Sequence, residues 1–433
     1  MTVSIIGAGL AGCEAAWILA EAGVKVYLHE MKPQKYSPAH KYSGFAELVC
    51  SNSLKAEREA SAGGLLKAEM RLMGSLLLEC ADKARVPAGG ALAVDREDFS
   101  DEVTAKIRSH DNIEICEGEV TALPEGHVIV ATGPLTSDAL AEKITGLCGE
   151  ALSFYDAAAP IITAESVNMT KAFFAARYER GDEEDYVNCP FNREEYEAFH
   201  KALVTAERAE LHEFEKGQVY EGCMPVEVLA GRGIDTLRFG PLRPVGLRDP
   251  RTSHRPWAVV QLRRENASGS LYNLVGFQTN LKFPEQKRVF SLIPGLESME
   301  IVRYGVMHRN TFLDSPRLLD SAFALRAERR IRFAGQITGV EGYMESAMSG
   351  LVAAHQLLRE LQDKPPLALP SNTMSGALCA YISDEGVRNF QPMGANMGLL
   401  PPLEERVKGK QARYQIIAER ALASMKEALG GNS

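Results

Sequence analysis

The sequence predicts an α/β fold: a parallel sheet of the dinucleotide-binding kind, interrupted by a smaller inserted α+β domain. Three observations predict it. A G-x-G-x-x-G turn at residues 7–12 follows an apolar run at the start of the chain. A second glycine-rich strand-to-helix junction occupies residues 335–342, near the other end. Between them, from about Tyr155, the composition shifts to charged and then arginine-rich segments.

Val3 to Ile6 is an apolar run of the length of a buried parallel strand. Gly7 allows the tight turn, Gly9 lets the backbone approach a pyrophosphate, and Gly12 lets the next helix sit close to the strand. Ala8, Leu10 and Ala11 complete the candidate nucleotide-facing turn. Residues 10–22, rich in Ala and Leu, read as the helix, and Gly23 ends it. Val24 to Leu28 is a second strand. Glu30 lies 18 residues after Gly12, where a carboxylate accepts hydrogen bonds from ribose hydroxyls. The alternative is an ordinary tight βαβ turn, but strand, glycines, helix, strand and acid all fall in order.

Leu65 to Cys80 has helical periodicity. Val86 to Asp95 reads as a Gly-rich turn entering a helix, with Asp95 as N-cap and an end near Ser109. Ile113 to Glu117 and His127 to Ala131 read as strands. The latter runs into A-T-G-P, where Thr132 and Gly133 permit close approach to a nucleotide. Residues 176–216 are strongly charged and helical in composition. Residues 232–264 hold eight arginines against Asp235 and Asp249. That stretch is either an exposed loop and sheet edge with solvated charges or a phosphate-contacting surface. Ile331 to Ala334 is a final strand, leading into G-Q-I-T-G-V-E-G-Y-M-E-S-A with Gly335, Gln336 and Glu341. A helix N-terminus there offers N–H groups and a positive dipole end to a negative group. The expected organisation is a discontinuous nucleotide-binding domain, 1–150 and 325–433, with 151–324 inserted. Residues 364–401 are expected to wrap the core, and Glu404 to Leu429 to form a terminal helix.

The 433 residues are 45% hydrophobic and 24% charged, as in a soluble globular protein. The first strand leaves no room for a signal peptide, and no apolar run is long enough to span a bilayer. The eight cysteines show no C-x-x-C pair and sit in no His-rich cluster, so a cytoplasmic enzyme with reduced thiols and no metal is expected. A net charge of −9 argues against a wholly basic nucleic-acid binder, not against a local basic face.

The N-terminal fingerprint, A-T-G at 131–133 and the late G-Q-I-T-G-x-x-G-Y-x-E-S-A junction together resemble FAD-binding flavoproteins of the glutathione-reductase type, with a Rossmann-like domain. Gln336 stands where an Asp is usual, a departure shared by the tRNA-modifying flavoproteins. Within these the chain resembles the folate- and FAD-dependent tRNA uracil-C5 methyltransferases. The stretches that carry this are C-S-N-S-L at 50–54, G-G-A-L-A-V-D-R at 89–96, E-G-C-M-P-V-E at 221–227, R-F-G-P-L-R-P-V-G-L at 238–247 and Y-G-V-M-H-R-N-T at 304–311. The related wobble-uridine carboxymethylaminomethyl enzyme is longer and carries a further C-terminal domain. The resemblance implies that 5,10-methylenetetrahydrofolate supplies the carbon, reduced FAD the reducing equivalents, NAD(P)H the recharging, and the T-arm of tRNA the acceptor uridine. A monomer is expected.

Uracil C5 is a poor nucleophile until a thiolate adds to C6, and a second group must then remove the C5 proton. Cys50, followed by three polar residues, and Cys223, in a G-C-M-P turn, sit in settings suited to this. Nearby arginines would raise a thiolate fraction. A small buried hydrophobe is the reading kept for Cys13, Cys80, Cys116 and Cys148, while Cys189 and Cys379 are left undecided. The resemblance assigns Cys223 to C6 and Cys50 to proton removal or to the flavin-bound methylene; the residues alone leave the roles exchangeable. His308 is a candidate for stacking on the folate pterin, and equally a loop histidine held by a backbone bond. Arg309 or a member of the 232–264 run could pair with the folate glutamate. Two other classes compete: a plain FAD oxidoreductase acting on a small molecule, and a flavin-containing RNA-binding module without turnover.

Overall fold

The computed structural model describes residues 1–149, 152–157, 159–179, 185–209, 224–305, 307–388, 390–405 and 407–430. The opening apolar run forms the strand Thr2–Ile6, buried from its second residue onward. The helix Leu10–Glu21 and the strand Lys25–Glu30 follow. They belong to a six-stranded sheet in the order Ala324–Leu325, Glu328–Phe333, His127–Val130, Thr2–Ile6, Lys25–Glu30, Ile113–Glu117. All pairings are parallel except that of the short edge strand Ala324–Leu325. Parallel strands buried on both faces need near-continuous apolar runs, which these supply. Ile331 pairs with Val128 and Phe333 with Val130, so residues far apart in the chain complete one sheet.

The late helix Tyr343–Leu361 packs against Leu10–Glu21. Gly350 makes that approach possible, since a Cβ there would lie 2.1 Å from the Ala11 carbonyl oxygen. A second six-stranded sheet, antiparallel throughout, has the order Phe173–Phe174, Tyr186–Phe191, Ala258–Arg264, Leu271–Leu274, Ile161–Thr163, Ile301–Arg303. Its own core gathers Val187, Phe191, Phe199, Val260, Leu262 and Phe290, separate from the core under the first sheet. The strands Leu152–Ala157 and Met307–Phe312 pair antiparallel where the chain passes between the two.

Several local expectations are corrected. The periodic stretch 65–80 is two helices, Ala62–Leu72 and Leu76–Lys83, because Gly74 takes φ +83° and Ser75 starts the second by capping Leu78 N–H. Residues 86–95 are not simply a turn: Ala91–Val94 is the middle strand of a three-stranded sheet, pairing antiparallel with Ser53–Ala56 on one side and with Arg85–Val86 on the other. Among the described residues of 176–216 the α-helix is Arg193–Val204, started by an Asn192–Glu195 capping box, while Tyr186–Phe191 is a strand. The 364–401 stretch contains the helix Met374–Ser383, its prolines lying outside it. The terminal helix begins only at Lys410, after Gly409 at φ +90°.

Two buried carboxylates fix helix ends across long sequence distances. Glu14 accepts from the Ser75 hydroxyl and from Leu76 N–H at 2.9 Å, meeting free donors of the helix Leu76–Lys83. Glu69 accepts from Met374 N–H at 2.7 Å and Ser375 N–H at 2.8 Å, doing the same for Met374–Ser383. Burial pushes Glu14 up to about 8 and Glu69 to about 7, against the pull of these hydrogen bonds. A raised carboxyl pKa means that the folded chain holds a proton the unfolded chain has released. Stability from these groups therefore falls as pH rises from about 4.5 towards 8. Glu14→Gln, which cannot titrate, should flatten the decline of melting temperature across that window. An unchanged slope in the variant would show that Glu14 does not titrate there.

Candidate active site

The two glycine-rich turns meet at the carboxyl ends of the parallel strands, the usual ligand position in such sheets. Gly7, Ala8, Gly9, Leu10, Ala11, Glu30, Thr132, Gly133, Gly335 and Gln336 all line one cleft. A Cβ on Gly12 would stand 1.8 Å from the Gly7 carbonyl oxygen, so Gly12 serves helix packing behind the turn. A Cβ on Gly9 would meet no protein atom within 4 Å; it would project into the cleft. Gly9 is also the N-cap of Leu10–Glu21, whose first turn has no side-chain cap and no acid. Its N–H groups are left for an anion.

Glu30 is buried, with one carboxylate oxygen accepting from Ala8 N–H and the other from Lys32 N–H, both at 2.9 Å. Each oxygen keeps a second lone pair for a ribose hydroxyl. These features fit a dinucleotide. Glu341 does not line the cleft: it is buried behind it and accepts from Gln336 Nε2 at 2.6 Å, which orients Gln336. Sequence reading missed Lys32, His40 and Glu47 in the cleft wall. Lys32 Nζ donates to the Tyr42 carbonyl at 3.0 Å and ties down the loop that carries them.

Cys50 lines the same cleft, half-buried. Its loop is fastened to the second sheet. Arg263 donates to Asn52 Oδ1 at 3.0 Å and Ser51 Oγ at 2.9 Å. Asn52 Nδ2 donates to the carbonyls of Val94 at 3.0 Å and Arg264 at 2.9 Å. Arg96 donates to the carbonyls of Leu48 and Val49 and pairs with buried Glu265, and Arg303 donates to the Val49 carbonyl. Three arginines thus stand against one glutamate around this loop. Burial pulls Arg263 and Arg303 below the ordinary arginine range, with the Cys50 charge acting the other way on each. Burial also raises Glu265, opposed by all three arginines.

The remaining described cysteines differ. Burial drives Cys13 far up, Cys80, Cys189 and Cys379 to about 12 and Cys148 to about 11, so they stay thiols at neutral pH. Cys223 lies outside the described residues. His308 sits on the strand Met307–Phe312 opposite Asp156, and its side chain and that of Arg309 also lie outside the described residues. The arginine-rich run divides. Arg263 is buried on a central strand of the second sheet, and Arg238 lies over Trp257 at 3.7 Å. Arg232, Arg243, Arg248, Arg251 and Arg255 are exposed. Arg96, Glu265, Arg303 and Tyr343 around Cys50 were not singled out from the sequence. Arg96 and Tyr343 nonetheless fall inside stretches that carry the family resemblance.

Among the described residues no group of His, Cys, Asp and Glu could hold a metal, and no helix is long and apolar enough to cross a membrane. Residues 2–365 match the family model "Glucose inhibited division protein A". A relative in Pelotomaculum thermopropionicum, named methylenetetrahydrofolate--tRNA-(uracil-5-)-methyltransferase TrmFO, is 59% identical over 98% of this chain and 97% of its own. One of the same name in Heliobacterium modesticaldum is 58% identical over 100% and 99%. The crystal structure of Aquifex aeolicus GidA (form I) superimposes with a TM-score of 0.71 at 16% identity, over 99% of this chain and 76% of that one. The glycine-turn cleft, the fold and these identities agree: the chain belongs to the glucose inhibited division protein A family and, within it, to the methylenetetrahydrofolate--tRNA-(uracil-5-)-methyltransferases TrmFO.

Proposed function

We propose that this chain is a cytoplasmic, monomeric enzyme that methylates C5 of the T-loop uridine of tRNA, with carbon from 5,10-methylenetetrahydrofolate. The observation that carries the reading is a cysteine, Cys50, set among Arg96, Arg263 and Arg303 in the wall of a cleft built for a dinucleotide. The glycine turns and the Leu10–Glu21 N-terminus would hold the FAD pyrophosphate, and Glu30 would hold its ribose. When bound, the reduced flavin supplies the two electrons that take the methylene carbon to methyl, and NAD(P)H restores them. The Cys223 thiolate adds to C6, and C5 gains the electron pair with which it bonds the new carbon. Cys50 takes the proton that leaves C5, and the Cys223–C6 bond then breaks to restore the ring double bond. In this reading residues 1–150 and 325–433 bind FAD, and 151–324 face folate and tRNA.

The test is incubation of T-loop RNA with methylenetetrahydrofolate and NADPH, with mass analysis for one added methyl. Flavin reduction without any change in RNA mass would instead favour an NAD(P)H oxidoreductase. In a second arm, Arg243→Gln, Arg248→Gln and Arg255→Gln together should flatten the slope of log affinity for tRNA against log salt by up to about three contacts. An unchanged slope removes this face from the tRNA surface.

A further inference from the structure

The backbone and sulfur of Cys50 converge on one phenolic oxygen, that of Tyr343. Tyr343 is the first residue of the late helix and lines the cleft beside Cys50. Its phenolic oxygen accepts from Cys50 N–H at 2.7 Å and from Ser51 N–H at 3.1 Å, and lies 3.0 Å from Cys50 Sγ. A phenol has two acceptor sites and one proton. Both acceptor sites are taken by backbone donors. Among the described residues, the acceptor within reach of the remaining O–H is the Cys50 sulfur. The direction of the Tyr343–Cys50 bond is therefore set by the loop's own backbone.

We infer that Tyr343 is a positioning residue that holds the Cys50 sulfur as a hydrogen-bond acceptor and so favours its thiolate. A hydrogen bond to the charged form of an acid favours that form. Burial, together with the neighbouring Cys50, raises Tyr343 well above the ordinary tyrosine value, so it remains a donor throughout the neutral range. The charged groups facing this pair are Arg96, Arg263, Arg303 and Glu265, with Tyr186 beside Arg263. The net positive surroundings work in the same direction as the Tyr343 hydroxyl. A sulfur held in this state is ready to take a proton from C5. The inference deepens the methyl-transfer reading and rests on it for its purpose, though not for its test.

The test is the pH dependence of Cys50 alkylation by iodoacetamide in the FAD-loaded enzyme, without folate or RNA, resolved by mass analysis of the Cys50 peptide. In the unmodified enzyme the midpoint should lie below the ordinary thiol value of about 8.5. A midpoint at or above it overturns the inference without any variant. Tyr343→Phe keeps the ring and removes the oxygen. It should raise the midpoint by about one unit, slowing alkylation at neutral pH about tenfold, with the high-pH plateau retained. A purely structural role would change the plateau and leave the midpoint in place, which would also overturn the inference. Methyl transfer is read separately: its failure with an unchanged alkylation profile would count against the proposed reaction and not against Tyr343.

Discussion

Gly9→Val should purify as a folded protein without flavin. Gly9 has φ −79° and ψ −169°, a backbone open to any residue, and its Cβ direction meets no protein atom within 4 Å. The protein loses little, on the order of 1 kcal/mol or less. A side chain there fills the place where a pyrophosphate approaches the backbone. The measurement is the ratio of flavin to protein absorbance alongside the melting temperature. Gly12→Ala is the contrasting case. Its Cβ would stand 1.8 Å from a carbonyl oxygen inside the βα unit, so both folding and flavin should suffer. A Gly9→Val protein with full flavin content would show that the pyrophosphate does not sit on this turn.

Cys50→Ala and Cys223→Ala should each abolish methyl transfer while keeping flavin. Removal of a positioned proton-transfer group alone lowers the rate by about 10²–10⁴-fold. A cysteine that merely packed would instead show a stability change of roughly 1 kcal/mol with activity intact. A T-loop carrying 5-fluorouridine separates the two roles, because fluorine does not leave C5 as a proton does. The unmodified enzyme and Cys50→Ala should form a stable adduct with this RNA, and Cys223→Ala should form none. The reverse pattern would exchange the roles. Equal adducts from both variants would exclude each cysteine as the nucleophile.

What was legible in the sequence was local. The strand Thr2–Ile6, the helix Leu10–Glu21 and the strand Ile113–Glu117 follow from apolar runs, punctuating glycines and the dinucleotide turn within a few residues of each other. The convergence of the two glycine junctions at one cleft was legible because each motif has one common use. Hidden were the contacts that depend on distant pairing. Arg263 read as one member of a run that was either solvated or phosphate-contacting, yet a central strand buries it against Ser51 and Asn52, some 211 residues away. Tyr343 meets Cys50 across 293 residues, and no periodicity records that. The break at Gly74 was missed because apolar spacing continues through it, while one positive φ redirects the chain.

The parallel sheet has a consequence for synthesis. The strand His127–Val130 pairs on one side with Thr2–Ile6, and its other neighbour, Glu328–Phe333, is made roughly two hundred residues later. At about 5–20 residues per second a ribosome needs roughly 10–40 s to cover that interval. Throughout it, the growing chain carries an open sheet edge and half of a nucleotide cradle, since Gly335 and Tyr343 do not yet exist. Protease should cut nascent chains arrested before residue 328 within their first 130 residues and spare the same region once residue 361 has emerged. The strand Glu328–Phe333 closes that edge, and flavin capture, on this order of assembly, is a late event that follows synthesis of the roughly two hundred intervening residues.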